Sequence, residues 1–172
     1  VDKLRLAEDN DCVDVSKLVS VAPIDRAGAY ADITRLVSTL EDADYRAVCE
    51  EMLRRHEDAF RTIPAAKSVH HAFLGGLLMH TANMVKIADF LAGMYPETID
   101  RSLLLTGTLL HDMAKAQEFV FSQLGLATDY SIKGQLLGHL VMGAQDAAEI
   151  AAGRYDSLLT YSDPFAAECY GL

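Results

Sequence analysis

The run Leu103-Leu104-Leu105-Thr106-Gly107-Thr108-Leu109-Leu110 ends on an adjacent His111-Asp112, with Met113-Ala114-Lys115 directly after it. This junction restricts the fold more than any other stretch. An apolar run of this kind must be buried, and burying an ionised carboxylate is costly unless a cation or good hydrogen bonds compensate it. Two more apolar stretches carry histidines: His80 in Gly75-Gly76-Leu77-Leu78-Met79-His80-Thr81, and His139 in Leu136-Leu137-Gly138-His139-Leu140-Val141-Met142. Three apolar helices, each presenting a ligand and one presenting an Asp as well, predict a metal site inside an all-α bundle. A lone histidine on an apolar face is usually a core residue with its hydrogen bonds satisfied. The set His80, His111, Asp112 and His139 reads differently, because only Lys115 lies close enough in sequence to neutralise Asp112.

Helical spacing supports the bundle. After Pro23 and Asp25, residues 27–40 set Ile33, Leu36, Val37 and Leu40 on one face. Asp42 is placed to cap a second helix reaching about residue 60, with Tyr45, Val48, Cys49, Met52 and Leu53 inward and Arg54-Arg55 outward. Pro64 interrupts, and a linker carries Lys67, Ser68, His70 and His71. Further helices are predicted over about 72–93, 98–115 and 133–152, with a last short one at 165–172 opened by Pro164. That makes about six. Residues 118–122 and 128–131, either side of Gly125, form a small hairpin or an irregular excursion. Residues 1–21 alternate briefly (Leu4, Leu6; Val13, Val15) and read as one strand and a link, either capping the helices or ending a preceding β domain.

Within this frame His80 shares its helical stripe with Gly76, Leu77 and Met84, and His111 shares one with Gly107 and Thr108. A helix-interior glycine costs about 1 kcal/mol relative to alanine, so Gly76 and Gly107 predict close backbone approach that brings His80 and His111 to one ion. Lys115, one turn after Asp112, either pairs with it or points at a substrate phosphate. His70 and His71 are either structural residues ahead of a helix or substrate contacts. His56 reads as surface, and Met79, Met84, Met94, Met113 and Met142 as core filling. Gly75-Gly76 follows no strand and is no phosphate loop.

The 172 residues suffice for one well-buried core, and the 51% hydrophobic, 23% charged composition is that of a globular protein. Lys86, Asp89 and Asp112 interrupt every candidate membrane span, and the charged start is no signal peptide. The lack of an initial methionine reads as a cut start. Cys12, Cys49 and Cys169 form no CxxC pair, which predicts reduced thiols in a cytoplasm. The net charge of −10 has no basic stripe within it, which argues against duplex-DNA binding by this chain alone. Acidity does not exclude a phosphate substrate where divalent cations supply positive charge locally.

The string His80-Thr81-x-x-Met84-Val85-x-Ile87-Ala88, followed by Leu109-Leu110-His111-Asp112-Met113-Ala114-Lys115, resembles the HD-domain metal-dependent phosphohydrolases. Pro64-Ala65-Ala66-Lys67-Ser68-Val69-His70-His71-Ala72-Phe73-Leu74-Gly75-Gly76 and Gly134-Gln135-Leu136-Leu137-Gly138-His139 are similar to the YhaM-type 3′–5′ exoribonucleases, in which an OB-fold precedes the HD domain. The resemblance implies an exit segment from that OB-fold over 1–24 and an HD domain over 25–172. It implies that His80, His111 and Asp112 hold a first divalent ion, that Asp112 is shared with a second ion served by His139, and that one or two ions bind. Manganese is the foremost expectation, with iron, zinc or magnesium as alternatives. Asp112 and Lys115 are then the catalytic pair, and His70 and His71 contact substrate. The implied activity is 3′–5′ exonucleolytic release of nucleoside monophosphates from single-stranded RNA by a cytoplasmic protein without a membrane partner, with a homo-oligomer left open. Another HD phosphohydrolase, such as a nucleotidase or cyclic-nucleotide phosphodiesterase, and a non-catalytic nucleotide- or partner-binding module are the alternatives. The family also places a His-His-Gly element and a final ligand Asp after the His139 helix. Residues 144–172 hold no histidine, so the sequence is expected to be a piece of a longer protein.

Overall fold

A computed structural model describes Arg5 and residues 18–68, 71–122 and 124–159. The helices are α1 (Arg26–Ser38), α2 (Ala43–Thr62), α3 (Gly76–Met94), α4 (Arg101–Leu110), the single turns α5 (Lys115–Glu118) and α6 (Ile132–Leu136), and α7 (Gly138–Leu159). One antiparallel pair, β1 (Phe119–Phe121) and β2 (Ala127–Tyr130), joins α5 to α6. The all-α expectation holds, with a two-stranded ribbon inserted.

Side-chain caps set three of the main helix starts. The Asp25 carboxylate accepts from the Ala27 amide, Asp42 from those of Asp44 and Tyr45, and Asp100 from that of Leu103. Each cap satisfies an amide that a helix start leaves without an intrahelical partner. The start of α3 is built differently. Gly75, at φ +74°, caps it without a side chain, and residues 72–75 stay outside the helix predicted from about 72. A short parallel bridge pairs Val21 with Leu74 there, the Ala22 amide donating to Leu74 O and the Leu74 amide to Ser20 O. That bridge is the β structure of the described N-terminal residues. Nothing links it to an OB-fold, and Leu4, Leu6, Val13 and Val15 lie outside the described residues, as does the helix expected over 165–172.

Helix α3 is the central element, packed on α1, α2 and α4, while α2 also packs on α7. Ile33, Leu40, Met52, Phe60, Leu77, Leu78, Leu109 and Met113 are fully buried between them. Met113 and Met142 fill core as expected, but Met84 and Met94 are exposed. His56 is not plain surface, because its ring is largely covered and its Nε2 lies 3.4 Å from the Asp146 carboxylate. Cys49 sits on α2 with its thiol against Thr106 Oγ1, and burial pushes that thiol up to about 11. It is therefore neutral and poorly nucleophilic at neutral pH.

Gly76 and Gly107 do not bring α3 and α4 together, contrary to expectation. A Cβ on Gly76 would stand 2.0 Å from the His71 carbonyl oxygen, so the close approach there is to the preceding loop and not to α4. A Cβ on Gly107 would meet nothing within 4 Å. Two outcomes are expected. In urea denaturation Gly76→Ala loses about 2 kcal/mol or more through the forced clash, whereas Gly107→Ala gains up to about 1 kcal/mol of helix propensity; equal effects would contradict the geometry. In peptide-resolved alkylation of the native protein, Cys49 stays unmodified until denaturant is added.

Candidate metal centre

The predicted helix over 98–115 breaks where its chemistry begins. Regular α4 ends at Leu110, residues 111–114 form turns, and α5 restarts at Lys115. This break swings Asp112 inward, to 4% exposure, while His111 stays half-buried on the α4 stripe. His80, on the second turn of α3, faces them. The ligand atoms converge: His80 Nε2 lies 3.4 Å from His111 Nε2 and 3.5 Å from Asp112 Oδ2, and His111 Nε2 lies 3.3 Å from the same oxygen.

These separations fit one small cation. Ligand atoms about 2.1 Å from a common ion stand about 3.0 Å apart in octahedral and about 3.4 Å apart in tetrahedral arrangement. Protonation fits as well. The Thr108 carbonyl, 2.7 Å from His111 Nδ1, can only accept, so Nδ1 carries a proton and Nε2 faces the cluster, donating to Asp112 when protonated and offering its lone pair to a cation when not. Burial pushes the His80 imidazole down toward its neutral, ligating form, the Asp112 charge opposing. His111 is pushed up chiefly by its hydrogen bond to Asp112, against burial. Burial alone would raise the Asp112 carboxyl, yet hydrogen bonds and charge from His111 and Lys115 hold it well below the carboxylate range. The cluster is thus built around an ionised Asp that draws positive charge.

The second carboxylate oxygen turns the other way. Asp112 Oδ1 lies 3.3 Å from His139 Nε2. The expected helix over 133–152 is broken to allow this: α6 ends at Leu136, and Gly138, at φ +72°, begins α7 with His139 in its first turn. Most of the surrounding apolar run is not buried, since Leu136 and Leu140 are exposed at 78% and 66%, and only Met142 at its end enters the core. His139 faces inward because of Glu118, a residue sequence reasoning missed. Glu118 is only 6% exposed, and its Oε1 accepts from both the His139 amide (3.1 Å) and its Nδ1–H (2.9 Å). A carboxylate behind an imidazole fixes the ring and its tautomer. The signal available in sequence was a Glu at the edge of an apolar hairpin strand, Glu118-Phe119-Val120-Phe121.

Lys115 takes the first of its two expected roles, its ammonium 2.8 Å from Asp112 Oδ2. His71 stands against the cluster, ring centroid 5.4 Å from that of His80, and its backbone adopts φ +59°, unusual for a non-glycine. Its carbonyl accepts from the Ala65 amide, and Gly76 leaves room for that carbonyl. His70 lies outside the described residues.

An imidazole-specific measurement checks this construction. In long-range 15N spectra, His111 and His139 are expected as Nδ1–H tautomers, and Glu118→Ala is expected to release His139 alone to the Nε2–H form. A His139 tautomer unchanged by the substitution contradicts the role given to Glu118.

Comparison with known proteins agrees with this geometry. Residues 77–158 match the HD domain, and residues 25–99 match a family described as a putative helicase. The chain is 30% identical over 151 residues to the 3′-5′ exoribonucleases YhaM of Listeria innocua serovar 6a and Listeria welshimeri serovar 6b. Each alignment takes in 88% of this chain but 47% of the relative, so the chain spans about half the length of the curated relatives it matches. No solved structure matches.

Proposed function

We propose that the chain is the catalytic part of a metal-dependent phosphodiesterase that removes nucleoside monophosphates from the 3′ end of single-stranded RNA, because residues 77–158 match the HD domain and His80, His111 and Asp112 within them converge on one point. The observation that carries the hydrolase reading is the buried carboxylate shared among three imidazoles and one ammonium. The likeness to the Listeria exoribonucleases supports the RNA substrate. The matched putative-helicase stretch contains no Gly-x-x-x-x-Gly-Lys-Ser/Thr loop, and so adds no nucleotide-hydrolysis motif of its own.

On this reading His80, His111 and Asp112 hold the first divalent cation, manganese foremost. His139 Nε2 and Asp112 Oδ1, 3.3 Å apart, would offer two donors to a second ion. A bound cation supplies Lewis acidity toward a phosphoryl oxygen and acidifies water. The chain's own residues do the rest. Asp112 fixes the geometry and remains ionised throughout, its burial offset by its neighbours. Lys115 has its charge beside the same oxygen and is within reach of a phosphate oxygen, where it stabilises charge that grows in the transition state. His71, its ring against that of His80, contacts the substrate, with His70 beside it in sequence. Grip on the rest of the strand comes from a preceding OB-fold, whose stacking groove suits single strands.

Elemental analysis of the purified protein is expected to find about one or two Mn, Fe or Zn per chain, and Asp112→Ala is expected to lose both metal and hydrolysis of a 3′-labelled oligoribonucleotide. Lys115→Gln should retain the metal and lower kcat about 10²-fold. A parent that takes up no Mn²⁺ overturns the hydrolase reading. A metal-loaded parent that hydrolyses mononucleotides or cyclic nucleotides but no RNA replaces the substrate and leaves the site.

A further inference from the structure

Beside the metal centre, between α3 and α4, lies an open apolar cleft of about 600 Å³. His111 forms one end, Met84, Leu103, Leu104, Gly107 and Thr108 its walls and floor, and Ile99 and Asp100 the far end. We infer that this cleft is the subsite for the base of the nucleotide whose phosphate lies at the metal centre, and that it holds the ring by burial and stacking without reading its edges. The inference rests on the phosphodiesterase reading for the placement of the phosphate.

The cleft is continuous with the metal centre. Met84 stands one turn beyond His80, and Gly107 and Thr108 stand one turn before His111, so the cleft extends the two faces that carry the ligands. His111 belongs to both. A nucleotide whose phosphate lies at the metal centre, beside His111, can lay its base only onto a neighbouring surface, and this one is apolar and adjoining.

The lining also selects for a ring. The Asp100 carboxylate already accepts from the Leu103 amide, and the Thr108 carbonyl is taken by His111. That leaves the Thr108 hydroxyl and the second Asp100 oxygen as the polar side-chain groups of the lining besides His111. A sugar or a second phosphate would lose its hydration here and find little in return. A flat ring suits the cleft, since its faces meet apolar side chains while its polar edges remain at the open mouth. Met84 and Leu103 are 39% and 52% exposed at the walls, large apolar side chains that the protein's own core does not use. A thioether packs well against an aromatic ring.

Gly107 completes the subsite. It is a helix-interior glycine with no close approach to explain it, since a Cβ there meets nothing within 4 Å. What its bare backbone does is keep the floor of the cleft open. With so few polar side-chain groups in its lining, such a cleft discriminates poorly among bases, as an exonuclease that degrades mixed sequence requires.

The test uses Gly107→Leu, which fills the floor with a good helix former. For an oligoribonucleotide the variant is expected to raise KM about tenfold with kcat nearly unchanged and metal content equal to the parent's. With a 3′-terminal abasic residue the parent itself should show the raised KM, and the substitution should add nothing. Equal KM in parent and variant, an equal penalty on the abasic substrate, or strong parent preference for one terminal base each overturns the inference. The 13C-labelled Met84 methyl reads the cleft without turnover. A nucleoside monophosphate should shift it in the Mn-free, Zn-loaded parent, and ribose 5-phosphate should not. If the methyl moves while no phosphodiester is cleaved, the activity reading fails and the subsite stands. If the methyl ignores the nucleotide, or broadens with protein concentration alone, the cleft is no base site and a protein interface takes its place.

Discussion

The carboxylate of Asp112 is the interaction on which the site depends. One oxygen meets His80, His111 and Lys115, and the other meets His139. At 4% exposure it cannot be hydrated, so its charge must be met by protein or by a cation. That requirement organises the surrounding backbone. The chain leaves α4 directly after Leu110, turns through 111–114, and restarts at Lys115, which puts the carboxylate and the ammonium on the same side. An unbroken helix through this region would carry His111 and Asp112 about 100° apart around its axis, given 3.6 residues per turn. Only the break lets adjacent residues serve one centre.

The second constraint is the path from α5 to α7. The β1–β2 ribbon carries the chain out and back, so that Glu118 at its start and His139 beyond its end meet across 21 positions of sequence. Gly134 allows this, because a Cβ there would stand 2.2 Å from the Glu118 carbonyl oxygen. Gly138 adds the left-handed step that turns His139 back toward the carboxylate. The ribbon is thus a spacer with a function. It delivers a histidine to the far side of Asp112 from an otherwise exposed segment.

Legibility followed the physics. The first two helices were readable because caps and apolar spacing agree: Asp25 and Asp42 cap where local chemistry says they should, and Ile33, Val37, Met52 and Leu53 bury the face their period predicts. The convergence of His80, His111 and Asp112 was readable because a buried run seldom ends on an ionised Asp unless a cation meets it there. What escaped reading is non-local. Periodicity passed straight through 111–114 and through Leu137, since both breaks answer to tertiary contacts and not to local propensity. Glu118 showed only its place beside an apolar strand, and the partner that explains its burial lies across the ribbon. The burial inferred for the His139 run was wrong for a related reason: Leu136 and Leu140 are apolar in sequence and exposed in the fold. Gly76 and Gly107 were assigned one cause, and they have two. Only the first is a close approach.

Charge explains how an acidic chain can be suited to a polyanion. The −10 net charge repels a phosphate backbone at long range, though this repulsion is screened beyond about 8 Å at physiological ionic strength. At contact, the local balance decides. Around Asp112 the described chain supplies one ammonium and imidazole nitrogens able to ligate, and a divalent cation would turn the centre net positive. The cleft next to it is mostly apolar, with Met84, Leu103 and Leu104 in its lining and its one carboxylate, Asp100, at the end away from the metal centre. A nucleotide is itself divided in this way, a charged phosphate joined to a weakly polar ring, and on the proposed reading the two halves of the site match the two halves of the ligand. The general acidity outside that pair of surfaces then favours release, since a monophosphate product bears more negative charge than the diester from which it came.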